Sequence, residues 1–175
     1  MEFEEKTLNS EYLLKTFIVD VKQDKVKLSN GNESTRIVVE HPGGVVVVAQ
    51  KSADTILMVE QYRYPIKGAY LELPAGKLEK GEDPFLAAQR ELEEETGYKS
   101  ENWKSLGFIN TTPGFCDEKL YLYIATDLKF VGEHPDNDEI ILAKEYKIDD
   151  VFEMIKNGQI NDSKTICGLT RAFKL

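Results

Sequence analysis

The chain has 175 residues, 41% of them hydrophobic and 30% charged, which fits one ordinary folded domain with a small appended element and excludes a disordered chain. Its formal net charge of -9 disfavours nucleic acid and acidic membranes as partners, but leaves open a phosphorylated ligand bridged by a divalent cation. Cys116 and Cys167 lie far apart without CxxC spacing, so neither a zinc site nor a disulfide framework is expected. The opening residues MEFEEKTLNS are acidic and lack an apolar run, so no signal peptide is read there. No stretch approaches the ~20 apolar residues of a membrane span, and a cytoplasmic location is expected.

Between Tyr12 and Leu28 the β-branched residues around Phe17–Val21, then Val26 and Leu28 beyond a break at Gln23-Asp24, predict two strands. Asn30-Gly31 marks a turn, and Thr35–Glu40 a third strand. Residues 1–42 thus read as a small antiparallel element suited to dimerisation or substrate contact, and 43–175 as the main domain. Val45–Ala49 is a continuous apolar run of the kind buried on both faces of a sheet. Strands follow at 55–62 and 70–74. The clearest helix is 84–96, with Asp83 to cap it, Pro84 at its first position and Gly97 to end it. Phe85, Ala88 and Leu92 form its apolar stripe. Further strands are predicted at 103–109, 119–126 and 140–147, with a loop at 132–139. Helices are predicted near 149–157 and 162–173, the last burying Ile166, Leu169 and Phe173. Strands with helices on either side give an α/β class, a sandwich around a mixed sheet.

The helix at 84–96 carries Glu91, Glu94 and Glu95, which fall within roughly a 100° arc of its surface. Like charges at these spacings repel, and the last turn of a helix is where its dipole disfavours anions. Helix stability therefore gives no reason for placing them there. A hard cation such as Mg2+, which prefers carboxylate oxygens, does. Arg90 stands four residues before Glu94 and within reach of Glu82, so it can orient carboxylates.

Gly76, Glu82, Arg90, Glu91, Leu92, Glu94, Glu95 and Gly97 match the Nudix box, G-x5-E-x7-R-E-U-x-E-E-x-G-U, where U is a bulky aliphatic; Tyr98 replaces the last U. The chain thus resembles the Nudix hydrolase family. EQYR at 60–63, ELPAGK at 72–77 and TPGFCDE at 112–118, with Pro113 sixteen residues after Gly97, resemble its ADP-ribose pyrophosphatase branch. The resemblance implies a Nudix-type α/β/α sandwich and Mg2+-dependent hydrolysis of ADP-ribose or a similar nucleoside diphosphate sugar, with Mn2+ as a substitute ion. It implies metal ligation by Glu91, Glu95, Glu94 and the carbonyl of Ala75, with Arg90 orienting the carboxylates. The general base is expected in the acidic loop containing Asp136, Asp138 and Glu139, with Glu139 favoured.

Arg63 and Arg36 are candidates for phosphate or adenosine contacts because a guanidinium binds phosphate in a fork. Thr112, Glu118 and Glu72 are candidates on the ribose side, and Phe17 for stacking on adenine. His41 and His134 carry no clear signal. The branch also implies a homodimer with exchanged N-terminal strands. The competing readings are hydrolysis of another nucleotide sugar such as GDP-mannose, an ADP-ribose-binding module without catalysis, and an acidic interaction protein with no site.

Overall fold

A computed structural model describes residues 3–132 and 140–175, which divide into two compact units. The first unit takes in the residues up to Gly43 together with Asn110–Lys119. Its three strands, β1 (Glu5–Lys15), β2 (Asp20–Leu28) and β3 (Glu33–Glu40), form an antiparallel sheet in that order. The reversal between β1 and β2 lies at Thr16–Val19, not at Gln23-Asp24 as the sequence suggested. Thr16 Oγ1 accepts from the Ile18 and Val19 N–H groups and donates to the Val19 carbonyl, while Asp20 accepts from the Thr16 N–H. These local bonds close a turn through residues of high strand propensity. Gln23 and Asp24 stay within β2, paired with Glu11 and Ser10.

The second unit comprises Gly44–Ile109 and Leu120–Leu175. Its core is a mixed sheet that begins with β4 (Gly44–Gln50), β5 (Thr55–Arg63), β6 (Gly68–Glu72) and β7 (Ala75–Lys77) and resumes after the helix α1 (Pro84–Thr96). The two-residue strand β8 (Tyr98–Lys99) follows α1 directly, then come β9 (Asn102–Asn110), β10 (Lys119–Thr126), β11 (Lys129–Phe130) and β12 (Ile141–Lys147). The main sheet runs β12-β5-β4-β10-β9, with β6 on β5 and β7 on β4. Strand β4 is parallel to β10 and antiparallel to β5 and β7. Two helices close the chain, α2 (Ile148–Lys156) and α3 (Ser163–Phe173).

The valine run explains the layering. Alternate residues of a strand point to opposite faces. Val46 and Val48 join Ile56, Met58, Leu73, Val151 and Leu169 in one core beneath α2 and α3. Val45, Val47 and Ala49 join Ala87, Ala88 and Leu92 in a second core beneath α1. All five residues from Val45 to Ala49 are fully buried. The result is an α/β/α sandwich with β4 at its centre.

Two predicted stripes shift. In α1 the fully buried residues are Ala87, Ala88 and Leu92; Phe85 is partly exposed and meets the rings of Trp103 and Tyr123 edge-on or tilted. In α3 the buried residues are Thr165, Gly168 and Leu169, while Ile166 and Phe173 are only partly covered. The small side chains of Ala87 and Ala88 pack with Val45, Val47 and Ala49 of β4. The short strands β7, β8 and β11 escaped the sequence reading because two or three residues carry no periodicity. Among the described residues no helix is long and apolar enough to cross a membrane.

Candidate active site

Helix α1 begins as its sequence dictates. The Asp83 carboxylate accepts from the Phe85 and Leu86 N–H groups, satisfying two of the helix's orphan donors. Gly97 ends it at φ 74°, and its N–H bonds the Glu93 carbonyl. A side chain at 97 would also collide with the backbone of Gly132, 2.7 Å from where a Cβ would sit, so the segment after β11 passes close against the end of the helix.

One guanidinium organises the acidic face. Arg90 Nε and Nη2 bond both oxygens of Glu82 at 3.0 Å, and Nη1 bonds Glu91 Oε1 and Glu94 Oε2 at 2.8 Å each. Glu82 also accepts from the Glu79 N–H, which fixes the loop before the helix. Its pKa is held below the usual carboxylate range, first by the hydrogen bond from Arg90. That of Arg90 is raised, again mainly by Glu82. Two carboxylates of neighbouring turns thus converge on a single cationic nitrogen.

The fourth acid, Glu95, is almost fully buried and accepts from the Ala75 N–H at 2.8 Å. Strand β7 brings Ala75 and Gly76 alongside the helix. A Cβ at Gly76 would lie 1.9 Å from the carboxyl carbon of Glu91, so the carboxylate occupies the space that the missing side chain leaves. Glu82, Glu91, Glu94 and Glu95 contribute four negative charges against one from Arg90, a local net of -3. The donor set is all oxygen, which suits a hard divalent cation. Among the described residues no group of three or more His, Cys, Asp or Glu side chains is already arranged around a metal position. Glu91 and Glu94 are instead turned to Arg90.

The same unit holds a second charged cluster. Arg63, at the end of β5, presents Nε and Nη2 to the two oxygens of Glu72 at 2.9 and 2.6 Å. Glu72 is only 1% exposed and also receives the Lys164 ammonium. Its carboxylate is thus held between two cations within the fold. Arg63 remains partly exposed, and its Nη1 donates to no described residue. Lys164 also bonds Asp162, the cap of α3, and the Leu73 N–H donates to the buried Thr165 Oγ1. Lys164, Asp162 and Thr165 were missed from the sequence. The signal available was a lysine in the first turn of a helix, where the dipole disfavours a cation.

The first unit holds the remaining candidates. Arg36 forks onto Glu5. Phe17 lies at the β1–β2 turn and is 95% exposed, so it is not a core residue. The Thr112 carbonyl accepts from the N–H groups of Phe115 and Cys116, and the Thr111 N–H bonds the Glu118 carbonyl, so Thr112 and Glu118 flank a tight turn. His41 Nδ1 accepts from the Gly43 N–H, a local structural role. Asp136, Asp138, Glu139 and His134 lie outside the described residues.

A NUDIX domain model matches residues 40–169. A methanol dehydrogenase activator of Bacillus methanolicus is 46% identical, covering 94% of this chain and 90% of its own length. An ADP-ribose pyrophosphatase of Bacillus subtilis (strain 168) is 38% identical, covering 93% of this chain and 89% of its own. The crystal structure of an ADP compounds hydrolase superposes with a TM-score of 0.85 at 19% identity over 98% of this chain and 94% of that one, a likeness of fold.

Proposed function

Since the chain belongs to the Nudix hydrolase family, on the branch of the ADP-ribose pyrophosphatases, we propose that it hydrolyses the diphosphate bond of ADP-ribose to AMP and ribose 5-phosphate with Mg2+. The observation that carries this reading is the carboxylate excess on α1, where Glu91 and Glu94 converge on one cationic nitrogen beside Gly76. Such a concentration of like charge near a helix C-terminus is unfavourable unless a divalent cation offsets it.

Glu91, Glu94, Glu95 and the Ala75 carbonyl would hold the Mg2+, for which Mn2+ can substitute. When bound, the ion neutralises diphosphate oxygens and lowers the pKa of the attacking water. Arg90 keeps Glu91 and Glu94 oriented while Glu82 fixes Arg90. Glu139 takes the proton of the water, with Asp138 beside it in sequence as the second acid of that loop. Arg63 donates its remaining nitrogen to a phosphate oxygen. Arg36, Phe17, Thr112 and Glu118 contribute the adenosine and ribose contacts. The protein acts in the cytoplasm as a homodimer joined through its N-terminal strands. The exposed apolar side chains Leu8, Leu13 and Leu14 of β1 support that assembly.

Incubation with a panel of nucleotide sugars, with and without Mg2+, tests the reading. AMP and ribose 5-phosphate from ADP-ribose, abolished by EDTA, are expected. Consumption of GDP-mannose while ADP-ribose stays whole would transfer the assignment to another sugar nucleotide. Tight ADP-ribose binding without products would make the chain a binding module. A second reading, activation of a methanol dehydrogenase, is favoured by the 46% identity to the Bacillus methanolicus protein. A rise in dehydrogenase turnover on adding the chain would establish it.

A further inference from the structure

We propose that Lys164 is a positioning residue for the substrate diphosphate, acting through Glu72 on Arg63. The proposal rests on the reading of Arg63 as a phosphate contact. Its starting point is the burial of Glu72. A carboxylate this far from water needs compensating charge and hydrogen bonds. It receives them from two elements: Arg63 at the end of β5, and Lys164 in the first turn of α3.

The two cations are not equivalent. Arg63 meets Glu72 as a fork, so the plane of its guanidinium is set and Nη1 is directed away from the carboxylate. Lys164 is a point charge, and it also holds Asp162 Oδ2 at 2.9 Å. Arg63 and Lys164 balance Glu72 and Asp162 to a net charge of zero. Without Lys164 the group carries -1, and Arg63 is left facing two acids. The field it presents to an incoming phosphate is then weakened, and Glu72 Oε2, which Arg63 Nη2 and Lys164 share, loses the second cation that fixes it beneath the fork. Arg63 also lies within electrostatic reach of Glu95 on α1, which places this cluster in the same field as the acidic helix.

The arm that carries Lys164 is rigid. The Leu73 N–H donates to Thr165 Oγ1 at 2.9 Å within the core. Helix α3 approaches so closely that a Cβ on Gly168 would stand 2.8 Å from Leu73 Cδ1. The residue after Glu72 is thereby clamped to the first turn of α3, and Lys164 reaches Glu72 from a fixed base. A lysine in that turn is disfavoured by the helix dipole. Its partners, both acidic and both largely covered, account for the placement.

Two measurements test the proposal. One is the Nε–Hε resonance of Arg63 in the substrate-free protein, identified by its loss in Arg63→Met. It should shift or broaden in Lys164→Met and return in Lys164→Arg. The other is steady-state hydrolysis of ADP-ribose with Mg2+. Lys164→Met should raise KM ~10-fold with kcat within ~3-fold of the parent, Lys164→Arg should restore KM, and Lys164→Met should add nothing in an Arg63→Met background. Lys164→Gln carries the same measurements if the methionine variant does not fold.

An unchanged Nε–Hε resonance in Lys164→Met overturns the proposal whatever the substrate. An equal rise in KM in both backgrounds also overturns it, because Lys164 would then act independently of Arg63. If the resonance responds but Arg63→Met leaves KM unchanged, the reading of Arg63 fails and the positioning role with it, while the link through Glu72 stands.

Discussion

Replacing Gly76 by alanine isolates the geometry of the acidic site from the stability of the fold. The added Cβ would stand 1.9 Å from the carboxyl carbon and one oxygen of Glu91, and 2.2 Å from the other oxygen. Contact distances of about 3.5 Å require that carboxylate to retreat by roughly 1.5 Å. The colliding atoms are the end of a flexible side chain, and Gly76 does not have the left-handed φ that would strain an alanine. The folding cost from the Arg90–Glu91 bond is about 1.5–3 kcal/mol for a pair of charged partners, lessened because Arg90 keeps Glu82 and Glu94. At about 2–4 °C per kcal/mol for a chain of this size, the melting temperature should fall by no more than about 10 °C. Metal ligation tolerates displacements of only about 0.2 Å, and an error of about 1 Å in a reacting assembly removes about 100-fold in rate. Initial rates of ADP-ribose hydrolysis across a Mg2+ titration, run beside scanning calorimetry, should show a loss of at least ~100-fold with a folded protein. A Gly76→Ala enzyme with parental turnover and parental Mg2+ dependence would refute the placement of Glu91 in the metal site.

Thr165→Val keeps the shape of the side chain but leaves the buried Leu73 N–H without an acceptor, so chemical denaturation should show a loss of about 1–3 kcal/mol that Thr165→Ser does not. Asp83→Ala removes the acceptor for two N–H groups of α1 and should destabilise the protein by about 1 kcal/mol, read from the urea midpoint at constant m-value. In the first unit, Lys22 and Tyr12 donate to Glu40 and hold its carboxyl below the usual range, Lys22 contributing most. A lowered carboxyl pKa stabilises above its unfolded value and the stabilisation is lost as pH falls through the folded value. Protection of the β2 and β3 amides, corrected for the pH dependence of intrinsic exchange, should therefore fall below about pH 4, and Glu40→Gln should flatten that dependence.

The parts legible in the sequence were those with local causes. Asp83-Pro84 and Gly97 bound α1 because caps act within a few residues, and the valine run announced a strand covered on both faces. The carboxylates of α1 were legible for the same reason, since their conflict with the helix dipole is visible in spacing alone. The β1–β2 turn was not, because Thr16 and Asp20 close it with side-chain bonds inside a run of strand-forming residues. Nor was the partnership of Glu72 with Lys164, which are separated by 92 positions and meet only once α3 has packed over Leu73. Glu72 stands next to the recognisable motif, but its burial between two cations is set by the packing of α3 and not by its neighbours in the sequence.

The parallel pairing of β4 with β10 has a consequence for assembly of the molecule. Gly44 sits opposite Leu120, and everything between them, including the acidic helix and its glycine cradle, belongs to the crossover that joins the two strands. Parallel neighbours cannot zip from a hairpin, and closing so long a loop comes late because its entropy is lost before any contact repays it. On a ribosome, α1 would emerge well before its seat in the sheet is complete. A nascent chain stopped short of Thr126 should therefore bind no divalent ion, and the capacity to do so should arise in one step as the last central strand docks.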